Sequence, residues 1–168
     1  MKAKLEGVRE LQLAIDRKIK EVGRASDKGL QAVGLEIVAE AKTNLRRNRT
    51  TNTGMLSASG KVQKQSDGTM DAGFFSQGSN DGYAAPVEYG RGPSLRKGAI
   101  PLAQTLKAWV HRKLGVPYGK ELDSATYLIA RKIHRHGTKP QPFFIPAIRK
   151  VVQKAGEIMS KYINEATK

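Results

Sequence analysis

Glycine is concentrated in the middle of this chain and limits where helices can form. Nine of the 17 glycines lie between Gly54 and Gly98. Glycine in the interior of a helix is about 1 kcal/mol less favourable than alanine, so long helices are not expected in this stretch. The sequence therefore predicts turns and short strands in the middle, with helices before and after them.

The first fifty residues predict two amphipathic helices. Apolar residues recur three or four positions apart, first at Leu5, Val8, Leu11, Ile15, Ile19 and Val22, and then at Leu30, Val33, Ile37, Ala41 and Leu45. This spacing places each set on one helix face. Gly23 is expected to end the first helix, and Ser26 and Asp27 are candidate caps for the second.

The glycine-rich middle predicts a small antiparallel sheet. Two candidate strands, residues 61–65 and 69–75, flank a Ser-Asp-Gly turn signal. Residues 83–89 form a third candidate strand, whose proline favours a sheet edge or a bulge. Residues 76–82 and 90–98 are expected to be mobile loops.

Three further helices are predicted after residue 100. Pro101 and Pro146 suit the first turn of a helix, and Ser124 is a candidate cap. The inward faces are expected to be Leu102, Leu106, Trp109 and Val110, then Ala125, Leu128, Ile129 and Ile133, and finally Ile148, Val151, Val152, Ala155, Ile158, Met159 and Tyr162. The whole pattern predicts one domain, residues 1–168. Its fold class is α+β, with N-terminal helices, a small antiparallel sheet and further helices that include a long C-terminal one.

Positive charge is concentrated in the second half of the chain. The formal net charge is +15, and residues 91–168 hold 16 basic but only 4 acidic side chains. Such a field attracts polyanions over about 8–10 Å at physiological salt. Candidates for contact with DNA or an acidic partner are Arg46, Arg47, Arg49, Arg91, Arg96, Lys97, Arg131, Lys132 and Arg135. Each of these residues could instead belong to a solvated basic face, and Arg46, Arg47 and Arg49 could complement the negative end of a helix dipole.

Few residue combinations in this chain suit catalysis. The histidines are His111, His134 and His136, and the chain has no cysteine. Glu36 and Glu40 lie one helical turn apart, which would suit either a metal-dependent nuclease or a solvated helix face. No glycine-rich segment ends in the Gly-Lys-Ser or Gly-Lys-Thr of a phosphate-binding loop. We predict that the chain is not an enzyme and that it needs no cofactor or metal.

Two segments rich in proline and aromatic residues stand apart from the helices. One is residues 83–90, and the other is residues 137–147. The prolines of the second segment favour an extended backbone, on which Phe143 and Phe144 would point in opposite directions. Either one of them faces a neighbouring subunit or both pack within the monomer. Glu88 is expected either to pair with a basic residue across a subunit boundary or to lie on the wet face of the sheet.

Three motifs in order resemble a family of bacterial virus proteins. They are Thr53-Gly54-Met55-Leu56-Ser57-Ala58-Ser59, Tyr83-Ala84-Ala85-Pro86-Val87-Glu88-Tyr89-Gly90, and Pro142-Phe143-Phe144-Ile145-Pro146-Ala147 leading into the last helix. The pattern is similar to the gene-product-ten-like tail-component family, the neck or tail-completion proteins of long-tailed double-stranded DNA phages. It spans roughly residues 5–165. The basic insert of residues 91–119 and the helix after it depart from the shortest members of the family.

The resemblance implies a structural virion protein that joins the tail to the DNA-filled head. Its partners would be other copies of itself in a ring, which is expected to be a hexamer. Neighbouring head-closure, tail-terminator or tail-tube proteins would contact this ring, and non-specific DNA would lie in its channel. Assembly would take place in the bacterial host cytoplasm. No association with a membrane is expected, because no apolar run approaches the roughly 20 residues of a membrane span. The implied assembly interface is Tyr83, Glu88, Tyr89, Phe143 and Phe144. The alternative is a basic DNA-binding protein of nucleoid type.

Overall fold

The computed structural model of this chain describes residues 7–48, 54–75, 84–93 and 103–167. In chain order the elements are α1 (Val8–Arg47), α2 (Met55–Ala58), β1 (Gly60–Lys64), β2 (Met70–Phe74), α3 (Ala84–Tyr89), α4 (Ala103–Leu114), α5 (Lys120–His136) and α6 (Phe144–Thr167). The predicted fold class is confirmed, since the chain combines helices with a two-stranded antiparallel sheet and a long helix ends the described chain. Side chains are described from residue 106 onwards in α4.

The N-terminal part of the chain forms one helix rather than two. α1 continues for 40 residues and passes through Gly23 without a break, so the predicted helix end is wrong. A glycine in a helix costs only about 1 kcal/mol, which the hydrogen bonds of a continuous helix outweigh. The two expected cap residues lie inside the helix, and Asp27 forms an ion pair with Lys64 of β1 instead.

The chain divides into two compact units. The first contains the chain up to Asn44, Gly60–Phe75 and the chain from Phe144 onwards, and the second contains Leu45–Ser59 and Ser76–Phe143. The organisation of residues 1–168 as a single domain stays a prediction.

In the first unit, α6 runs antiparallel to α1. Three pairs of contacts show the direction. They are Glu40 with Lys150 at 2.8 Å, Gly29 against Met159, and Lys18 with the carbonyl oxygen of Ala166 at 2.9 Å. Burial along α6 is centred on Ala147 and Val151. Val152, expected to face inward, is 59% exposed, because consecutive residues of a helix point about 100° apart.

The β-hairpin of the first unit packs on α1 near Gly34, whose α-carbon faces the side chains of Val62 and Ala72. The two strands pair with Val62 opposite Ala72, and their bounds lie within one residue of the predicted ones. In the turn, one carboxylate oxygen of Asp67 accepts hydrogen bonds from the hydroxyl and the backbone N–H of Thr69, at 2.7 and 2.9 Å. These hydrogen bonds lower the pKa of Asp67, the hydroxyl contributing most.

In the second unit, α4 packs against α5. The buried face of α5 is Leu122, Thr126 and Ala130, four residues apart in each case. The sequence pattern predicts Leu128 on this face, but Leu128 is 60% exposed. The prediction is wrong because the buried stripe of α5 is centred on Thr126, and Leu128, two residues further along, points about 160° away from it.

Candidate functional site

The two segments rich in proline and aromatic residues meet in the second unit. Residues 84–89 form helix α3 rather than the predicted third strand. Just after it, Arg91 and Thr138 form an isolated antiparallel bridge with N–O distances of 3.1 and 2.8 Å. The backbone N–H of Gln141 donates to the carbonyl of Val87 at 2.8 Å. We call this arrangement of residues 84–91 and 137–143 the junction.

Glu88 lies inside the junction rather than on a wet sheet face. It is only 7% exposed, and its carboxylate accepts a hydrogen bond from the backbone N–H of Phe143 at 2.8 Å. A buried carboxylate is stable only when such partners replace water. A subunit contact through Glu88 would have to involve a carboxylate that the chain itself almost completely buries. The neighbouring Tyr89 is 68% exposed and is therefore a large side chain of α3 that a partner could reach.

The two phenylalanines both contact their own chain. Phe143 is 1% exposed, and the side-chain amide of Asn48 donates to the carbonyl of Pro142 beside it at 3.0 Å. Phe144 is the first residue of α6 rather than part of an extended segment, and its ring meets that of Phe74 edge to face, with centroids 5.8 Å apart. Burial thus favours packing within the monomer over a subunit contact for Phe143.

Two glycines allow the two segments of the junction to lie close together. Gly90 and Gly137 have φ values of 74° and 72°, in the left-handed region. A Cβ on Gly90 would lie 2.6 Å from the carbonyl oxygen of Thr138, and one on Gly137 would overlap the carbonyl oxygen of Arg91. Both positions therefore need glycine for backbone angle and for space.

The structure groups three of the predicted basic residues. Arg131, Lys132 and Arg135 are exposed on α5 and line a shallow cavity of about 290 Å³ together with Leu128 and His136. We call this cavity the basic groove. Its apolar member, Leu128, is not recognisable from the sequence pattern, which predicts an inward position for it. Like charges clustered in this way favour a polyanionic ligand.

The other predicted contact residues that the structure describes lie on α1 and just after α3. Arg46 and Arg47 are exposed in the last turn of α1, where the helix dipole favours basic residues, and Arg91 is exposed within the junction. Four of the predicted site residues lie outside the described residues: Tyr83, Arg49, Arg96 and Lys97. The predicted mobile loop of residues 76–82 also lies outside them, as does the loop of residues 90–98 beyond Pro93.

The residues considered for a metal-dependent nuclease site make other contacts or lie apart from one another. Glu40 forms an ion pair with Lys150, whereas Glu36 is exposed. His134 is half-buried and His136 exposed on α5. Nδ1 of His111 lies 2.8 Å from the carbonyl oxygen of Val116, which closes the turn after α4. Within the described ranges, no three His, Asp or Glu residues lie close enough to hold a metal ion.

Comparison of the chain with protein-family models, with curated proteins and with solved structures gives no match. None of the helices in the described part of the chain combines the length and the apolar character needed to cross a bilayer.

Proposed function

We propose that this chain is a structural subunit of the neck of a long-tailed double-stranded DNA phage. It joins the tail to the DNA-filled head as one member of an oligomeric ring, in a tail-completion or adjacent connector role. The observation that carries the proposal is the order of the three motifs along the sequence. The junction supports it, since the backbone N–H of Phe143 in the third motif donates a hydrogen bond to Glu88 in the second, and both residues are buried.

Two exposed features of the second unit suit contacts with other virion components. The basic groove presents Arg131, Lys132 and Arg135 to an acidic ring protein or to DNA in the channel. Within the junction, Tyr89 presents an aromatic ring to solvent, and tyrosine is enriched at protein interfaces because its ring is large and its hydroxyl can form hydrogen bonds. The proposed contacts are therefore made by side chains that the monomer leaves in solvent.

Particles assembled without this protein test the proposal. We expect electron micrographs to show complete tails and DNA-filled heads that are not joined, and infectivity to fall by orders of magnitude. Supplying the wild-type protein should restore joining. Joined particles of normal infectivity in its absence would contradict the neck role.

The alternative of a nucleoid-type DNA-binding protein is favoured by one observation, the clustering of cations in the basic groove. It predicts duplex binding by the purified chain that weakens steeply with salt. Arg131→Glu with Arg135→Glu should then reduce the affinity. The slope of log K against log salt should become shallower by about 0.9 for each phosphate that the two side chains no longer neutralise.

The matched control for this measurement is Lys154→Glu with Lys161→Glu, an equal charge change at exposed positions of α6. If DNA binding depends on the groove, the control should lose much less affinity than the α5 variant. Negligible binding of the wild-type chain at physiological salt would remove the DNA-binding alternative and leave an acidic protein as the ligand of the groove.

A further inference from the structure

The solvent-facing side of α5 combines cations with exposed apolar surface. Leu128, Arg131, Lys132 and Arg135 are all exposed, and their positions lie within about 100° of one another around the helix axis. Leu128 is 60% exposed, and Tyr127 beside it is 51% exposed. Tyr127 lies one helical turn before Arg131, and Leu128 lies one turn before Lys132. Two large side chains with apolar surface therefore adjoin the cations of the basic groove.

The described part of the second unit offers few acidic side chains that could balance these cations. Its acidic residues are Glu88, Glu121 and Asp123. Glu88 is buried in the junction, and Asp123 forms an ion pair with Lys107. Glu121 lies ten residues before Arg131, about 15 Å away along the helix axis. The positive charge of the groove is thus complemented by a ligand that brings its own anionic groups.

The apolar part of this face favours a protein over the backbone of a nucleic acid. Contacts to phosphates consist of charge pairing and hydrogen bonds, so they leave Leu128 and Tyr127 in water. Protein interfaces are enriched in arginine and tyrosine and bury apolar side chains at their centre. Covering Leu128 with an apolar side chain adds a hydrophobic contribution that a phosphate backbone cannot supply. The face therefore matches a protein surface with both carboxylates and apolar groups.

The charge of this chain argues that the partner is a different protein. Among the described helices, α1, α4, α5 and α6 each carry more basic than acidic side chains. Two α5 helices placed face to face would bring the three cations of each groove towards one acid on the same face, Glu121. A second copy therefore offers the groove no acidic helix among those that the structure describes.

The spacing of the groove residues suits a helix as the ligand. Leu128, Arg131, Lys132 and Arg135 occupy positions i, i+3, i+4 and i+7 of α5, the spacing with which one helix presents a row of contacts to another. Residues four apart on a helix have Cβ atoms about 5–6 Å apart, so glutamates four apart on a partner match Arg131 and Arg135. Each guanidinium can bind a carboxylate through two parallel hydrogen bonds.

We propose that the basic groove binds an acidic amphipathic helix of another protein. An apolar side chain of that helix covers Leu128, and its carboxylates pair with Arg131 and Arg135. As a contact within the neck, this inference rests on the proposed function for its setting. The recognition itself is a property of the purified chain.

Fluorescence anisotropy of labelled probes titrated with the full chain tests the ligand class. The matching probe is a helical peptide of alanine and glutamine with a central leucine and glutamates three, four and seven residues to either side, so that it fits the groove in both directions. The first comparison probe contains the same residues in shuffled order, and the second is a short DNA duplex. We expect the matching peptide to bind with a dissociation constant in the micromolar range at low salt, and more tightly than the shuffled peptide.

Substitutions in the groove separate its apolar and charged contributions. Leu128→Ser should raise the dissociation constant of the matching peptide roughly tenfold, because the apolar contact is lost, and should leave any affinity for the duplex unchanged. Arg131→Glu with Arg135→Glu should abolish peptide binding. The matched control is Leu114→Ser at the end of α4, where Leu114 is 55% exposed. The control should bind like wild type, with equal helix content by circular dichroism for all four proteins.

Tighter binding of the duplex than of the matching peptide, with no effect of Leu128→Ser, would overturn the inference and make the groove a nucleic-acid contact. Equal binding of the two peptides, or no peptide binding by the wild-type chain, would also overturn it. Binding of the matching peptide by a chain that particles do not need for joining would overturn the neck role and leave the ligand of the groove standing. A chain that particles need but that binds no peptide would give the reverse.

Discussion

Phe143→Ala is expected to lower the free energy of unfolding by about 3–5 kcal/mol, as is typical for removal of a buried phenylalanine ring. Phe143 is 1% exposed, and its backbone N–H is held by Glu88. The substitution leaves a cavity that the two hydrogen-bonded segments of the junction cannot easily collapse to fill. Urea unfolding followed by circular dichroism measures the effect.

Tyr89→Ala is the matched control, because it removes an aromatic ring from the same region at a position that is 68% exposed. Its effect on stability should stay within about 0.5 kcal/mol. Equal destabilisation in the two variants would show that Phe143 is not a core residue. If the prediction holds, a failure of particle assembly in Phe143→Ala reports on folding, whereas a failure in Tyr89→Ala reports on an interface.

Gly137→Ala is expected to lower the free energy of unfolding by about 2–4 kcal/mol. The left-handed backbone angle costs a residue with a Cβ roughly 1–2 kcal/mol. The added Cβ would also overlap the carbonyl oxygen of Arg91, so the bridge between Arg91 and Thr138 must open. Two backbone hydrogen bonds are then at risk, each contributing about 0.5–1.5 kcal/mol.

The control for this prediction is Gly156→Ala in α6. Gly156 has no atom within 4 Å of an added Cβ, and alanine is favoured over glycine in a helix by about 1 kcal/mol. We therefore expect Gly156→Ala to raise the unfolding free energy slightly while Gly137→Ala lowers it. The same sign in both variants would contradict the role of Gly137 as a close-approach residue.

Local sequence patterns predict the hairpin and most helices well. The strands flank a turn whose conformation depends on Ser66, Asp67 and Gly68 themselves, so the signal and the structure lie in the same few residues. α4 and α6 are recognisable in the same way, from apolar spacing and from prolines near their starts. The period of α1 is also clear, but the pattern divides the helix at Gly23, because a single glycine is also the usual mark of a helix end.

The junction could not be predicted from either of its two segments. The segment of residues 84–89 is so short that it suits either a helix or a strand. Pro86 is tolerated in the first turn of a helix. Their partners, Thr138, Gln141 and Phe143, are about fifty residues away in sequence. The burial of Glu88 follows from that distant contact, so local reasoning offers a wet surface or a subunit boundary for this residue instead.

The amino-acid sequence by itself determined the helical periods, the hairpin register and the concentration of positive charge, because each depends on residues close together in the chain or on composition alone. Only the tertiary structure decided which apolar faces are covered. It showed Leu128 in the basic groove and Val8, Leu11, Ile15 and Ile19 of α1 in solvent, although all of them had the pattern of core residues. An apolar period records that a face must be buried somewhere, and only the positions of the neighbouring elements show whether the chain covers that face itself or leaves it to a partner.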